Sequence, residues 1–280
     1  MNERAYMTLM RVLPKAALSK AVGSLTRVPA PARLHQAAMK LFAARYRVNL
    51  DETDGSLTDF KTFGSFFTRK LKPGLRPIDQ SPGVVVSPVD GAVSQAGVVA
   101  NGACIQAKGL EFPLGQLLGD EERAKQLEGG SFATLYLSPR DYHRIHSPLE
   151  GTIDGFVYLP GQFWPVNPAS VANVKGLFAI NERLVTWLTT PLGQVAVVAV
   201  GATCVARIHA TYDRLVTHRG TPAQAKRYEK PIPVERGGEL GMFEMGSTVI
   251  LVFEPGRVKW DASLVAGASV QVGQKIGAKP

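Results

Sequence analysis

Cysteine is scarce in this chain of 280 residues: Cys104 and Cys204 are the only two, each in an apolar, strand-like run. Without a CxxC pair, thiolate zinc sites and thioredoxin chemistry lack support. Two buried free thiols of a reducing compartment are the expectation instead. Long hydrophobic runs are missing as well. Nothing approaches the ~18 consecutive apolar residues that span a bilayer, and the longest candidate, 195–206, contains Gly201. No short apolar core with a small-residue cleavage site stands near the N-terminus, so a secretory leader is not expected. The nucleophile elbow GxSxG is absent, which weakens a Ser-His-Asp hydrolase reading without removing it. What is present, 45% hydrophobic and 20% charged residues, is the profile of an ordered globular protein with a large core.

Acidic residues are nearly missing from the first 50 positions. Arg4, Arg11, Lys15, Lys20, Arg27, Arg33, Lys40, Arg45 and Arg47 face a single acid, Glu3, so this stretch holds +8 of the formal net charge of +9. Residues 51–280 carry 23 basic and 22 acidic side chains. Tyr6, Met10, Leu13 and Ala17 recur at helical spacing with Arg4, Arg11 and Lys15 on the other side. Pro14 must end or kink that segment, and Pro29 and Pro31 precede a second one. There Leu34, Ala38, Leu41 and Phe42 share a face, with Arg33, Lys40 and Arg47 off it. Basic amphipathic helices without a spanning segment suit an anionic membrane surface. Two ordinary helices with a solvated basic face explain the pattern equally well. Nucleic acid is not expected as a partner, since no aromatic-interleaved basic strand or helix-turn-helix pattern appears.

Phe60, Phe63, Phe66 and Phe67 fall at helical spacing, and beyond Pro73 the texture changes. Short β-branched runs bounded by Gly, Pro and Asp predict strands at 83–86, 92–93, 132–137, 195–200, 249–253 and 270–272, mostly antiparallel. One helix is expected inside the body, over 114–127. The segment 219–239, with three prolines, three glycines and eight charges, predicts a surface loop. The fold class is therefore α+β and β-rich: an antiparallel, barrel-sandwich-like β body over 51–280, preceded by basic amphipathic helices in 1–50.

Three short stretches could carry chemistry. Ser87-Pro88-Val89-Asp90-Gly91 reads as ordinary turn chemistry or as a carboxylate fixed at a strand end to orient an imidazole. Tyr142-His143-Arg144-Ile145-His146 holds two of only five histidines, three apart and around an arginine. A shared helical face could bind zinc, though no third ligand is evident, and general acid or base work is the stronger reading. Gly246-Ser247-Thr248 leads into an apolar strand. Alone it is weak; with the others it offers a carboxylate, an imidazole and a hydroxyl in the order Asp, His, Ser.

Together these stretches resemble bacterial phosphatidylserine decarboxylases of the membrane-associated, pyruvoyl-dependent type. The resemblance runs over nearly the whole chain. It rests on Ser87-Pro88-Val89-Asp90-Gly91, residues 136–146, Gly161 through Val166-Asn167, and Leu177-Phe178 with Asn181-Glu182-Arg183, then on Val200-Gly201-Ala202 and Gly246-Ser247-Thr248. Met245 stands where the family usually has Leu, and Ala206 where it tends to place Gly.

The resemblance implies a proenzyme that cleaves itself between Gly246 and Ser247 into a large chain, 1–246, and a small chain, 247–280, which stay associated. Ser247 Oγ attacks the Gly246 carbonyl, with His146 as base and Asp90 orienting it. Ser247 becomes a covalent pyruvoyl group, which forms a Schiff base with phosphatidylserine and accepts the electrons released as carbon dioxide leaves. His143 is the implied proton donor and substrate contact. No metal and no pyridoxal phosphate are expected. The implied setting is the cytoplasmic side of the cell membrane, held peripherally on anionic phosphatidylserine, and a homodimer is compatible with the reading. Residues 158–164 could add an apolar lip near the site or simply pack in the core. Two rivals remain: a lipoyl- or biotinyl-like carrier, suggested by 90–93 and 268–277, and a zinc peptidase on a related β fold.

Overall fold

The β-branched runs form the centre of an eight-stranded antiparallel sheet. A computed structural model describes residues 3–29, 31–203, 207–217, 220, 222–244 and 248–280. The order across the sheet is Gln224–Val234, Gly151–Leu159, Arg183–Thr190, Gly193–Val200, Thr248–Pro255, Gly130–Tyr136, Gly91–Val98 and Ser269–Val270. The two edge strands are not paired with each other among the described residues, so the sheet is open rather than a closed barrel. The body is β-rich and antiparallel, as the sequence predicts.

Thr248–Pro255 shows why its sequence is a continuous apolar run rather than an alternation. Val249, Leu251 and Phe253 enter one core with Leu135, Val197, Ile145 and Phe243, while Ile250 and Val252 enter a second with Val198, Trp187, Phe132 and Phe178. A strand covered on both faces has no polar side. Each fully buried Val, Ile or Leu contributes roughly 1.5–3 kcal/mol relative to exposure.

Several sequence expectations are corrected. The expected helix over 114–127 is two short ones, Leu114–Leu118 and Glu121–Gln126, because Gly119 takes a left-handed φ of 65° and Asp120 then caps the second through Arg123 N. The expected loop at 219–239 contains the longest strand, Gln224–Val234. It lies at the sheet edge, where proline is tolerated, and its register to Gly151–Leu159 breaks between Arg227 and Ile232, around Pro231. The histidine pair is not helical: Arg144–His146 is a strand and His143 directly precedes it, so the two rings do not share a helical face.

Three helices precede the body: α1 (Glu3–Val12), α2 (Lys15–Leu25) and α3 (Ala32–Tyr46), with Pro14 at the first break. The buried stripe of α3 is His35, Met39 and Ala43, not the Leu34–Leu41 face; Leu34 and Leu41 are 65% and 73% exposed. A small third core joins α3 to α4 (Phe63–Phe67): Met39, Ala43 and Val48 pack with Phe66, and Phe42 meets Phe63 edge-on at 5.0 Å. The basic head is thus seated on the body. Among the described residues, no helix is long and apolar enough to cross a membrane.

Candidate active site

The sheet register draws the distant sequence motifs into one row. Leu159 pairs with Arg183, Arg183 with Val200, Val200 with Thr248, Thr248 with Tyr136, Tyr136 with Ala92, and Ala92 with Ser269. Asp90-Gly91, the segment after Tyr136, Asn181-Glu182-Arg183, Val200-Gly201-Ala202 and Thr248 therefore stand at one end of the sheet. Gly91 is required there, since a Cβ would lie 2.3 Å from the Tyr136 carbonyl oxygen. Asn181 ties the row to 161–164: its amide donates to the Gly201 and Trp164 carbonyls at 2.9 Å. Tyr158 and Phe163 are buried, and the Tyr158 hydroxyl donates to Glu182 at 2.8 Å, so these two belong to the core rather than to an apolar lip.

A second, three-stranded sheet carries the histidines. Glu239–Phe243 lies between Ile208–Ala210 and Arg144–His146, pairing Glu239 with His146 and Met242 with Arg144. Gly241 permits the close approach, for a Cβ there would sit 2.3 Å from the His209 carbonyl oxygen. The antiparallel direction takes His146 away from residue 244 and His143 towards it; Phe243 N donates to the His143 carbonyl at 2.9 Å. Met245, Gly246 and Ser247, and Cys204, lie outside the described residues. Cys104 is a buried free thiol, pushed up to about 12 by burial.

Each imidazole is fixed through Nδ1. His143 Nδ1 donates to the Asp141 carbonyl and His146 Nδ1 to the Gly237 carbonyl, both at 2.7 Å. In the neutral ring this leaves Nε2 as the basic atom of each. His146 Nε2 is 3.2 Å from the Tyr142 hydroxyl, which donates to it. His143 Nε2 is fully buried against Phe67, ring centroids 4.1 Å apart, and has no hydrogen-bond partner among the described residues. Burial pushes His143 down to about 3. It also lowers His146, with the Gly237 carbonyl and Glu239 acting in the opposite direction. Both rings are neutral at pH 7. Burial pushes the Tyr142 phenol up to about 12, so it remains a donor.

The Asp90 and His146 segments run side by side, but the two side chains are not hydrogen-bonded to each other. His146 N donates to the Pro88 carbonyl at 2.8 Å, while the Asp90 carboxylate is held by Arg76. The guanidinium reaches both oxygens, at 2.7–3.0 Å, and Val272 N donates to Oδ1 at 2.8 Å. A fork of charged donors outcompetes a neutral imidazole for the carboxylate. The expected orienting contact is replaced by a longer-range one, in which the Asp90 charge favours a proton on His146. Arg76 also bonds Glu52 at 2.8 Å. Burial works against its charge, and the two carboxylates more than offset that.

Several partners escaped the sequence reading. Glu244 accepts from His209 Nε2 at 2.7 Å and is ion-paired with Arg207 at 3.2 Å and with Arg27, from the turn after α2, at 3.3 Å. Burial raises the Glu244 carboxyl, but the His209 hydrogen bond and the two arginines bring it below the usual carboxylate range. The basic head thus touches the chain just before residue 245. Arg76 and Glu244 gave no motif signal, since the partners of each lie more than ten positions away, and Tyr142, though inside the histidine stretch, was given no role of its own.

Comparison with known proteins points to one family. A family profile described as phosphatidylserine decarboxylase matches residues 63–278. The chain is 60% identical over 277 residues to the phosphatidylserine decarboxylase proenzyme of Myxococcus xanthus, covering 99% of each. It is 56% identical over 280 residues to that of an Anaeromyxobacter species and 44% over 287 to that of Pseudomonas putida, again covering 99% of each. These matches define a decarboxylase. The chain belongs to the phosphatidylserine decarboxylase family.

Proposed function

We propose that this chain is a proenzyme that cleaves itself between Gly246 and Ser247 and then converts phosphatidylserine to phosphatidylethanolamine. The observation that carries the reading is the His143 segment running beside Phe243, next to the chain that leads into Gly246-Ser247, with a buried Nε2 that has no hydrogen-bond partner among the described residues. Such an atom is an acceptor, able to take up and give back a proton beside a group derived from Ser247. When present, that pyruvoyl group supplies the sink for the electrons released with carbon dioxide.

The residues of the chain do the rest. His146 Nε2 takes the proton of the Ser247 hydroxyl, exchanging its Tyr142 partner for it, while Asp90, charge-paired to Arg76, stabilises the imidazolium that results. After cleavage His143, neutral at pH 7 with its proton on Nδ1, presents the lone pair of Nε2, which takes a proton from the substrate and returns it to the α-carbon. Burial around His143 excludes water, which protects the reacting carbonyl from side reactions. The test is an intact-mass measurement together with a phosphatidylethanolamine assay. Chains of 246 and 34 residues, the smaller with a blocked N-terminus, and release of carbon dioxide from phosphatidylserine are expected. A single uncleaved chain that still decarboxylates would overturn the reading.

The head supports the second half of the proposal, a peripheral setting on the cytoplasmic face of the cell membrane. Among the described residues, eight of the twelve exposed large apolar side chains lie in the first 46 positions, including Val12, Leu25, Leu34 and Leu41. They stand among Arg4, Arg11, Lys20, Arg33 and Lys40, the composition of a surface that meets anionic lipid. Lys15 is engaged with the body, its Nζ 4.0 Å above the Trp164 ring. Replacing Arg4, Arg11 and Lys20 with Gln should weaken sedimentation with phosphatidylserine vesicles at low salt and flatten its salt dependence, at about 1 kcal/mol per charge. Self-cleavage should persist. Unchanged binding at every salt level would move the membrane contact to another surface.

A further inference from the structure

A cavity of about 280 Å³ lies at the seam between head and body, walled by Arg47, Arg69, Arg140 and Tyr142 and by the Asp90–Arg76 pair. Its most unusual member is Arg69, directly after α4. The residue is only 4% exposed, yet its Nε and Nη1 have no hydrogen-bond partner among the described residues. Only Nη2 is used, donating to the Arg140 carbonyl at 2.9 Å. A guanidinium buried with most of its fork unmet is costly unless an anion completes it.

The other charges of the cavity do not do so. Arg76 already holds both Glu52 and Asp90. Asp141 is turned to Ser138 N, at 2.7 Å, and to Arg140 Nε, at 3.5 Å. Burial disfavours the charged form of Arg69, and Glu52, Asp141 and Asp90 oppose that only from a distance. Arg47 and Arg140 stand exposed at the same cavity, with no carboxylate on Arg47 among the described residues. Three arginines with open donors around one small polar cavity suit two non-bridging phosphate oxygens, which the planar fork binds in parallel.

We infer that this cavity binds a phosphate group, and that the group is the phosphodiester of the lipid headgroup, gripped by Arg69 with Arg47 and Arg140 at the mouth. The lipid assignment rests on the decarboxylase reading above. Its position supports the source: Arg47 closes α3 of the head, so a lipid met by the head is delivered at the seam, and Tyr142, which lines the cavity, also bonds His146. Arg69 would then fix the headgroup by its phosphate and leave the serine carboxylate unpaired. That suits a reaction that expels this carboxylate, because an ion pair to it would stabilise the ground state.

The experiment uses the full, matured protein. Calorimetric titration with sn-glycero-3-phosphoserine, inorganic phosphate and L-serine is paired with kcat and KM on phosphatidylserine for Arg69→Gln, Arg69→Lys and Arg140→Gln. Glycerophosphoserine should bind and compete with lipid, inorganic phosphate should bind more weakly, and L-serine should not bind. Arg69→Gln should raise KM roughly 10- to 100-fold, the loss of hydrogen bonds to a charged group, with a smaller effect on kcat and with self-cleavage retained. Arg69→Lys should recover part of it. If Arg69→Gln does not fold, Arg140→Gln at the exposed mouth should still raise KM several-fold.

No binding of either phosphate compound to the parent, or equal binding to the parent and to a folded Arg69→Gln, overturns the site. Inorganic phosphate binding as tightly as glycerophosphoserine without competing with lipid overturns the headgroup assignment. A parent that binds glycerophosphoserine but makes no phosphatidylethanolamine overturns the decarboxylase reading and leaves the phosphate site standing.

Discussion

Ser247→Ala is expected to leave one chain of 280 residues and to abolish phosphatidylethanolamine formation. The argument needs only the chemistry of an ester shift. A serine hydroxyl is a weak nucleophile, and no other hydroxyl lies at this junction except that of Thr248. The Thr248 backbone is fixed in the sheet, paired with Val200 and Tyr136, and the residue is 1% exposed, which holds its hydroxyl away from solvent. Removing the nucleophile of such a unit costs on the order of 10⁴-fold or more in rate. The fold should be kept, since the sheet and both cores are built from other residues. Ser247→Cys should still cleave, because a thiolate attacks a carbonyl readily, but the product chain would differ in mass from the parent's. Denaturing electrophoresis and intact mass read both variants. Fragments of 246 and 34 residues from Ser247→Ala would place the nucleophile elsewhere. Asp90→Asn is the companion variant. It weakens the Arg76 pair and removes the charge that favours a protonated His146, so maturation should slow without stopping.

The parts of this fold legible in the sequence are those whose signal is local. The runs at 195–200 and 249–253 are continuous and β-branched because both faces of those strands are buried, and they read as strands for that reason. Gly151–Leu159 and Arg183–Thr190 are interrupted by Gly155, or mix Arg, Trp and Thr, and become strands through pairing with neighbours up to about 80 residues away. Gln224–Val234 was obscured by the prolines that an edge position tolerates. The site divides in the same way. Asp90, His143 and His146 were legible as residue types in an unusual tetrad and turn. Their partners were not: the Arg76 that takes the Asp90 carboxylate and the Gly237 carbonyl that fixes His146 are matters of register and three-dimensional approach. The face of α3 was misjudged because leucines at helical spacing look like a core stripe even when they are exposed beside arginines.

The two histidines are expected to fail in different ways, and the larger effect on turnover belongs to His143. His143→Ala should mature more readily than His146→Ala but decarboxylate poorly, on the order of 10²–10⁴-fold below the parent, the usual worth of a positioned acid or base. His146→Ala should mature slowly, since the hydroxyl of Ser247 then lacks its proton acceptor. The competing outcome follows from the geometry. His146 Nε2 is already met by Tyr142, whereas the buried His143 Nε2 has no hydrogen-bond partner among the described residues and its segment runs beside Phe243. A maturation defect that is greater in His143→Ala would therefore transfer the base role to His143. Tyr142→Phe separates the cases further: freeing His146 Nε2 should speed maturation if His146 is the base and leave it unchanged if it is not.

Stability against pH gives an independent check on His143. Its folded value of about 3 lies below the ~6.5 of an unfolded histidine, so between these values the unfolded chain binds the extra proton. Stability is then full above about pH 6.5 and declines as the pH falls towards 3. Denaturant melts of uncleaved Ser247→Ala across pH 4–8 should show that decline, and adding His143→Leu should flatten it. A decline of equal slope with leucine in place would mean that the imidazole is not held neutral in the folded protein, and with that the proton route through its Nε2 would fall.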